Sequence, residues 1–442
     1  MTRFRFHPLL VLVPAFFLTT CPVLAADGAS PQSSTSFSAA DTAWLMVASV
    51  FTTLMLIPGL ALFYSGMLRK KNALSASMQA ICTGAVVSLV WIVCGYSLVF
   101  TASSPVIGGL DQTFLRHLTP FSISSAAPTV PEFVFVMFEL TFATITPMII
   151  LGGPADRMRF DSAMLFVGLW TLAVYCPIAH MIWGPGGLLL SAGALDFAGG
   201  TVVHVTSGVA GLVAALMIGP RREYGVMDMA PHNVLLTLLG GSLLWGGWFC
   251  FNGGSALTAG PAAGLAILNS QIAAAAGTTA WVLGEWRLHG KPSLLGAISG
   301  AIAGLVVITP GCGFVSPASA LIMGMIGGMV CLWGVNWPKR RFRYDDALDV
   351  WAIHGIGGIM GALLAGVFAT ARMAGAGHSG VIDGHWWQLI VQSEAVLVVV
   401  AWTLVVTVLL LLPFRYFRKL RVSEDQEQSG LDLSLHGETI HD

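Results

Sequence analysis

The chain has 442 residues, of which 55% are hydrophobic and only 10% charged, and its formal net charge is −1. Ordinary soluble domains carry about 25% charged residues, so a soluble enzyme is excluded, and so is a basic nucleic-acid-binding surface. Apolar runs long enough to cross a bilayer recur from residue 41 to residue 412, the pattern of an all-α polytopic membrane protein.

The first residues read as a secretory signal. Arg3 and Arg5 precede an apolar core from Leu9 to Leu18, and Val23-Leu24-Ala25 forms a small-residue cleavage site. The core is short for an uncleaved helix, and Thr19-Thr20 before Cys21 speak against a lipoprotein anchor. The predicted organisation is therefore a signal over 1–25, a membrane domain over 26–421 and a polar, acidic tail over 422–442.

Eleven transmembrane helices are expected, at 41–67, 72–101, 131–153, 162–183, 198–219, 232–254, 262–284, 293–310, 317–337, 347–370 and 387–414. Basic clusters follow each odd-numbered span: Arg69-Lys70-Lys71, Arg157/Arg159, Arg221-Arg222, Arg287/Lys291, Lys339-Arg340-Arg341/Arg343 and Arg415/Arg418/Lys419/Arg421. Loops after even spans carry only Arg116 and Arg372 as exceptions. Cytoplasmic loops collect Lys and Arg, which predicts an outside N-terminus and a cytoplasmic C-terminus.

One motif, Asp-x7-His-x3-Gly-x2-Gly, occurs twice: Asp196, His204, Gly208, Gly211, and Asp346, His354, Gly358, Gly361. The predicted topology runs the two copies in opposite directions, as in an inverted five-helix repeat. Eight residues of helix cover about 12 Å, so both histidines reach the middle of a core about 30 Å thick. Asp196 and Asp346 fit helix N-caps. A histidine at that depth is costly. Three readings of the pair are open: packed structural residues, a metal site, or a polar step that passes a proton. The duplicated context favours a functional pair, and two imidazoles without a nearby carboxylate or thiolate make a poor metal cage. The proton-passing reading is preferred, with no cofactor and no metal expected. Seven cysteines without CxxC spacing indicate neither a disulfide framework nor zinc.

Aromatic residues mark a second feature. Phe138 and Phe142 share one face of the third span, Trp183 ends the fourth, and Trp248, Phe249 and Phe251 precede Ser255 at the end of the sixth. Such residues serve as core or interfacial anchors, or line a vestibule for a small cation through ring faces and one hydroxyl acceptor.

Several stretches together carry a resemblance: Pro58 to Gly66 with Arg69-Lys70-Lys71-Asn72, Ile178 to Gly184, Gly193 to His204, Gly247 to Ser255, Pro292 to Gly296 with Thr309 to Gly313, His354 to Gly358, Gly430-Leu431-Asp432 and His436-Gly437-Glu438. In this order they resemble the ammonium transporter family (Amt/Mep/Rh), and its bacterial branch, over nearly the whole mature chain. The resemblance implies that Trp183, Phe138 and Ser255 recruit ammonium, that Phe142 and Phe251 gate the pore, and that His204 and His354 line it. It implies a homotrimer in a bacterial inner membrane, with a PII-type regulatory protein as a partner on the cytoplasmic face. One departure is Glu139, where the family usually has Gln; it is expected either to be protonated and bonded to backbone or to strengthen cation recruitment. Asp156 replaces an expected Glu. The rivals are an ammonium sensor of the same fold, signalling through its tail, and an intramembrane enzyme, for which a nucleophile–base pattern is missing.

Overall fold

The computed structural model describes residues 37–417 and 420–440; the signal over 1–25 lies outside them. Eleven membrane helices follow in chain order: α1 (Ala39–Met67), α2 (Lys70–Phe100), α3 (Glu132–Ile150), α4 (160–183), α5 (Gly200–Ile218), α6 (Val234–Gly254), α7 (Pro261–His289), α8 (Leu294–Ile308), α9 (Pro317–Phe342), α10 (Trp351–Phe368) and α11 (Trp387–Tyr416). Nine of these regions are long and apolar enough to cross a membrane by length and composition. The other two are α7, which is long but less apolar, and α8, which has only 15 residues. All eleven coincide with predicted spans, and α7 and α9 run about a turn further than expected.

Local chemistry starts the helices where the apolar runs begin. Side chains of Ser38, Asn233, Ser293 and Ser316 accept N–H groups of the first turns of α1, α6, α8 and α9. Pro261 and Pro317 open α7 and α9 at positions where no backbone N–H is needed. Among the described residues the only β-type pairings are two isolated bridges, Met158 with Arg421 and Val315 with Ala369.

The two motif copies pack against each other in opposite directions. A Cβ on Gly208 would lie 2.1 Å from the backbone N of Gly355, one on Gly211 would lie 2.8 Å from Val350, and one on Gly358 would lie 2.9 Å from the N of Val205. Residues later in α5 therefore meet residues earlier in α10, which is the antiparallel register of an inverted repeat. Small residues are needed at this crossing because the backbones themselves touch.

One end of the bundle gathers the basic residues. Arg221 pairs with Asp345 at 2.8 Å and Asp156 at 3.3 Å, Arg69 with Asp156 at 3.2 Å, and Arg157 is fully buried beside Asp345. Burial alone would push the Asp345 carboxyl up, but hydrogen bonds and charge from Arg221 hold it below its ordinary value. Burial lowers the Arg157 guanidinium to about 10. The tail docks on the same end. Lys71 donates to the Glu427 and Gln428 carbonyls, and Asn72 Oδ1 accepts the Leu431 N–H. Asp432 accepts the N–H groups of Leu74 and Ser75 at 3.1 and 2.7 Å, an acid placed on free donors at the start of α2.

Candidate functional site

His204 and His354 sit in the opening turns of α5 and α10, and both openings, Gly200–Val205 and Trp351–Ile356, are wide π-type turns. Such turns re-aim side chains that a regular helix would direct elsewhere. Their rings meet, with Nδ1 to Nδ1 at 3.1 Å and centroids 5.2 Å apart at 29°. The residues are 1% and 8% exposed. Two nitrogens at that distance share one proton, so one imidazole donates from Nδ1 and the other accepts there. His204 Nε2 has no hydrogen-bond partner, which leaves a free position at one end of the pair.

Asp196 fixes the approach to this pair. Its Oδ1 accepts Gly199 and Gly200 N–H at 2.8 and 2.7 Å, and its Oδ2 accepts Thr201 and Val202 at 2.7 and 3.0 Å. Burial raises the pKa of the carboxyl, and these four N–H groups oppose the rise. Gly199 takes φ 96°, a left-handed turn that favours glycine. The Asp196 carbonyl also accepts Trp183 Nε1–H at 2.9 Å, so one residue orients both α5 and the tryptophan at the end of α4.

Two cavities approach each other along this line. The first, about 260 Å³, is walled by Glu139, Phe142, Trp183 and Ser255 among others. The second, about 200 Å³, contains Phe251, Trp248 and both histidines, and continues to Glu285, Asn336 and Asp349. Phe142 and Phe251 stack between them at 4.1 Å and 26°. Trp183 stands edge-on to Phe142 at 5.6 Å and 85°. Ser255 Oγ donates to the Phe251 carbonyl at 2.8 Å, so its lone pairs are free to accept.

Phe138 stands apart from the other expected recruitment residues. It is fully buried, meets Phe142 edge-to-face at 5.2 Å and packs on Gly254, where a Cβ would fall 2.6 Å from its ring. It does not line the first cavity; it backs the ring that does. Glu139 does line it, and its Oε2 has no hydrogen-bond partner. Among the described residues no group of three or more His, Cys, Asp or Glu side chains could hold a metal ion.

The sequence reasoning placed Trp248 among the vestibule aromatics and missed its contact with the histidine pair. Its ring stacks on His204 at 5.3 Å and 28°, while Nε1–H donates to Thr309 Oγ1 at 3.0 Å. The signal was available, since Trp248 lies three residues before Phe251 and so on the same helical face. Leu244, Ile145 and Ile149 add aliphatic surface to the wall of the same cavity.

Comparison with known proteins places this geometry. Residues 43–441 match the model of the Ammonium Transporter Family. An ammonium transporter of Bacillus subtilis is 46% identical over 401 residues, covering 91% of this chain and 98% of that protein. One of Aquifex aeolicus is 42% identical, covering 91% of this chain and 93% of its own. The crystal structure of Saccharomyces cerevisiae Mep2 superposes with a TM-score of 0.82 at 38% identity, covering 88% of this chain and 89% of that one.

Proposed function

Because the chain belongs to the ammonium transporter family, we propose that this multi-pass membrane protein carries ammonium across a bacterial inner membrane by parting it into ammonia and a proton. One observation carries the proposal: two buried imidazoles in hydrogen-bond contact at 3.1 Å, inside an apolar cavity closed by stacked phenyl rings.

An ammonium ion titrates near a lysine head group, at about pKa 10, so it arrives charged. Trp183 attracts it through its ring face, Ser255 Oγ accepts one of its N–H groups, and Phe138 backs the ring beside it. A bare cation in the cavity beyond is costly. An N–H bond therefore breaks with its electron pair left on nitrogen, neutral ammonia passes Phe142 and Phe251, and the proton travels separately. It enters at the free Nε2 of one imidazole, crosses from Nδ1 to Nδ1, and leaves from the other ring. Potassium has no proton to shed and is rejected at the rings. Asp196 positions Trp183 and His204 without touching the cargo.

Replacing both His204 and His354 by Leu and recording ammonium-driven current in proteoliposomes tests the relay. Abolished current supports it, and undiminished current overturns it. Uptake of labelled methylammonium separates transport from a sensing role. We infer also that the basic end of the bundle, with the docked tail, faces the cytoplasm; the homotrimer and a PII-type partner on that face rest on the family resemblance. The mass of the detergent-solubilised protein tests the trimer.

A further inference from the structure

The residues assigned to the vestibule so far are neutral, yet one ionisable side chain stands in its wall. Glu139 comes from the same face of α3 as Phe135 and Phe142, at spacings of four and three, and all three line the cavity with Trp183 and Ser255. It is 8% exposed, its Oε2 has no hydrogen-bond partner, and no ion pair is formed to it among the described residues. A buried carboxylate in that state is costly. A cation that donates hydrogen bonds recovers the cost, because charged partners make the stronger bonds.

The surrounding titratable groups do not supply that partner. The Tyr96 hydroxyl donates to Glu132 at 2.5 Å, one helical stretch before Glu139 on α3. Tyr175, on α4, is buried with its hydroxyl unbonded. His180 is held between the carbonyls of Val99 and Ser104 at 2.7 and 2.8 Å. Asp41 at the start of α1 accepts the Ala259 N–H at 2.7 Å. None is a cation paired with Glu139.

We propose that Glu139 is the counter-ion of the entry site: its carboxylate accepts a hydrogen bond from ammonium held between Trp183 and Ser255, and so sets affinity ahead of the phenyl gate. This rests on the transport reading above and deepens it. A carboxylate also attracts potassium by charge, so Glu139 raises affinity for monovalent cations in general, and rejection of potassium falls to the rings behind it. Protonation of Glu139 removes the charge and weakens entry.

The test is initial-rate methylammonium uptake by proteoliposomes at external pH 5 to 8, a range in which the substrate stays cationic because its pKa lies near that of a lysine, about 10. Wild type, Glu139→Gln and Glu139→Asp are compared. For Glu139→Gln the expected result is a KM about tenfold higher at pH 7, the size of one lost charge-assisted hydrogen bond, with the maximal rate within about twofold. Wild-type and Glu139→Asp KM rise on acidification, whereas Glu139→Gln KM stays flat, and excess external potassium raises KM in wild type more than in Glu139→Gln. Equal KM and equal pH profiles in wild type and Glu139→Gln overturn the counter-ion role. If Glu139→Gln does not fold, a Glu139→Asp KM that does not vary with pH overturns it equally. Absence of any uptake by folded wild type overturns the transport reading instead.

Discussion

Asp196 and Asp346 stand eight residues before their histidines, yet they end in different surroundings. The first carboxylate accepts four backbone N–H groups. The second accepts Trp351 N–H at 2.7 Å and leaves Oδ1 without a partner, while Lys339 donates to the Asp346 carbonyl and to Asp349. The glycines differ in the same way, with Gly208 pressed on backbone at 2.1 Å and Gly358 at 2.9 Å. The two copies therefore bring their histidines to one place on different supports. The first copy holds a tight turn under Trp183; the second is tied to the basic end of the bundle.

The glycine crossing offers the largest break of that comparison. Gly208→Ala forces two backbones apart and is expected to abolish monodisperse protein on size exclusion. Gly358→Ala also meets backbone, but at 2.9 Å rather than 2.1 Å, so it is expected to lose less than Gly208→Ala and to fold with a lowered melting temperature. Gly246→Ala, with nothing within 4 Å of its Cβ, serves as the unaffected control.

The carboxylates come next. Asp196→Asn leaves several buried N–H groups unmet and should cost on the order of 2–3 kcal/mol, whereas Asp346→Asn loses less and should cost about 1 kcal/mol. Thermal unfolding in detergent measures both, and equal losses would remove the claimed asymmetry.

A smaller effect appears in pH dependence. Burial pushes the Asp346 carboxyl up to about 6, against the charge of Lys339, which lowers it. The folded state thus binds this proton more tightly than the unfolded chain does. The stability it contributes is full below the ordinary carboxylate value of about 4 and is lost as pH rises through about 6. The difference in melting temperature between wild type and Asp346→Asn should therefore shrink or change sign between pH 4 and 7.

The mildest expectation concerns the ring over His204. Trp248→Phe keeps a ring there and gives up the bond to Thr309, so a loss of about 1 kcal/mol in stability with transport retained is expected from unfolding and uptake measurements.

Much of this was legible in the chain. Apolar runs gave all eleven helices because hydrocarbon leaves the backbone no other way to satisfy its polar groups. The histidine pair was legible because identical spacing in opposed spans fixes matching depth. Contacts between distant segments were not. Asp156, Arg221 and Asp345 read singly as loop charges, and nothing in their spacing shows that they neutralise one another. Phe138 and Phe142 share a helical face in sequence, but only the packing of Gly254 shows which ring meets the cavity. The docking of Asp432 on the start of α2 joins residues from opposite ends of the chain, beyond any local pattern.

The stacked phenyl rings, 4.1 Å between centroids, stand between the two cavities. On the transport reading proposed above, each crossing would wait for a side chain to swing aside, and flux would level off at a ceiling set by the frequency of that swing rather than by the gradient.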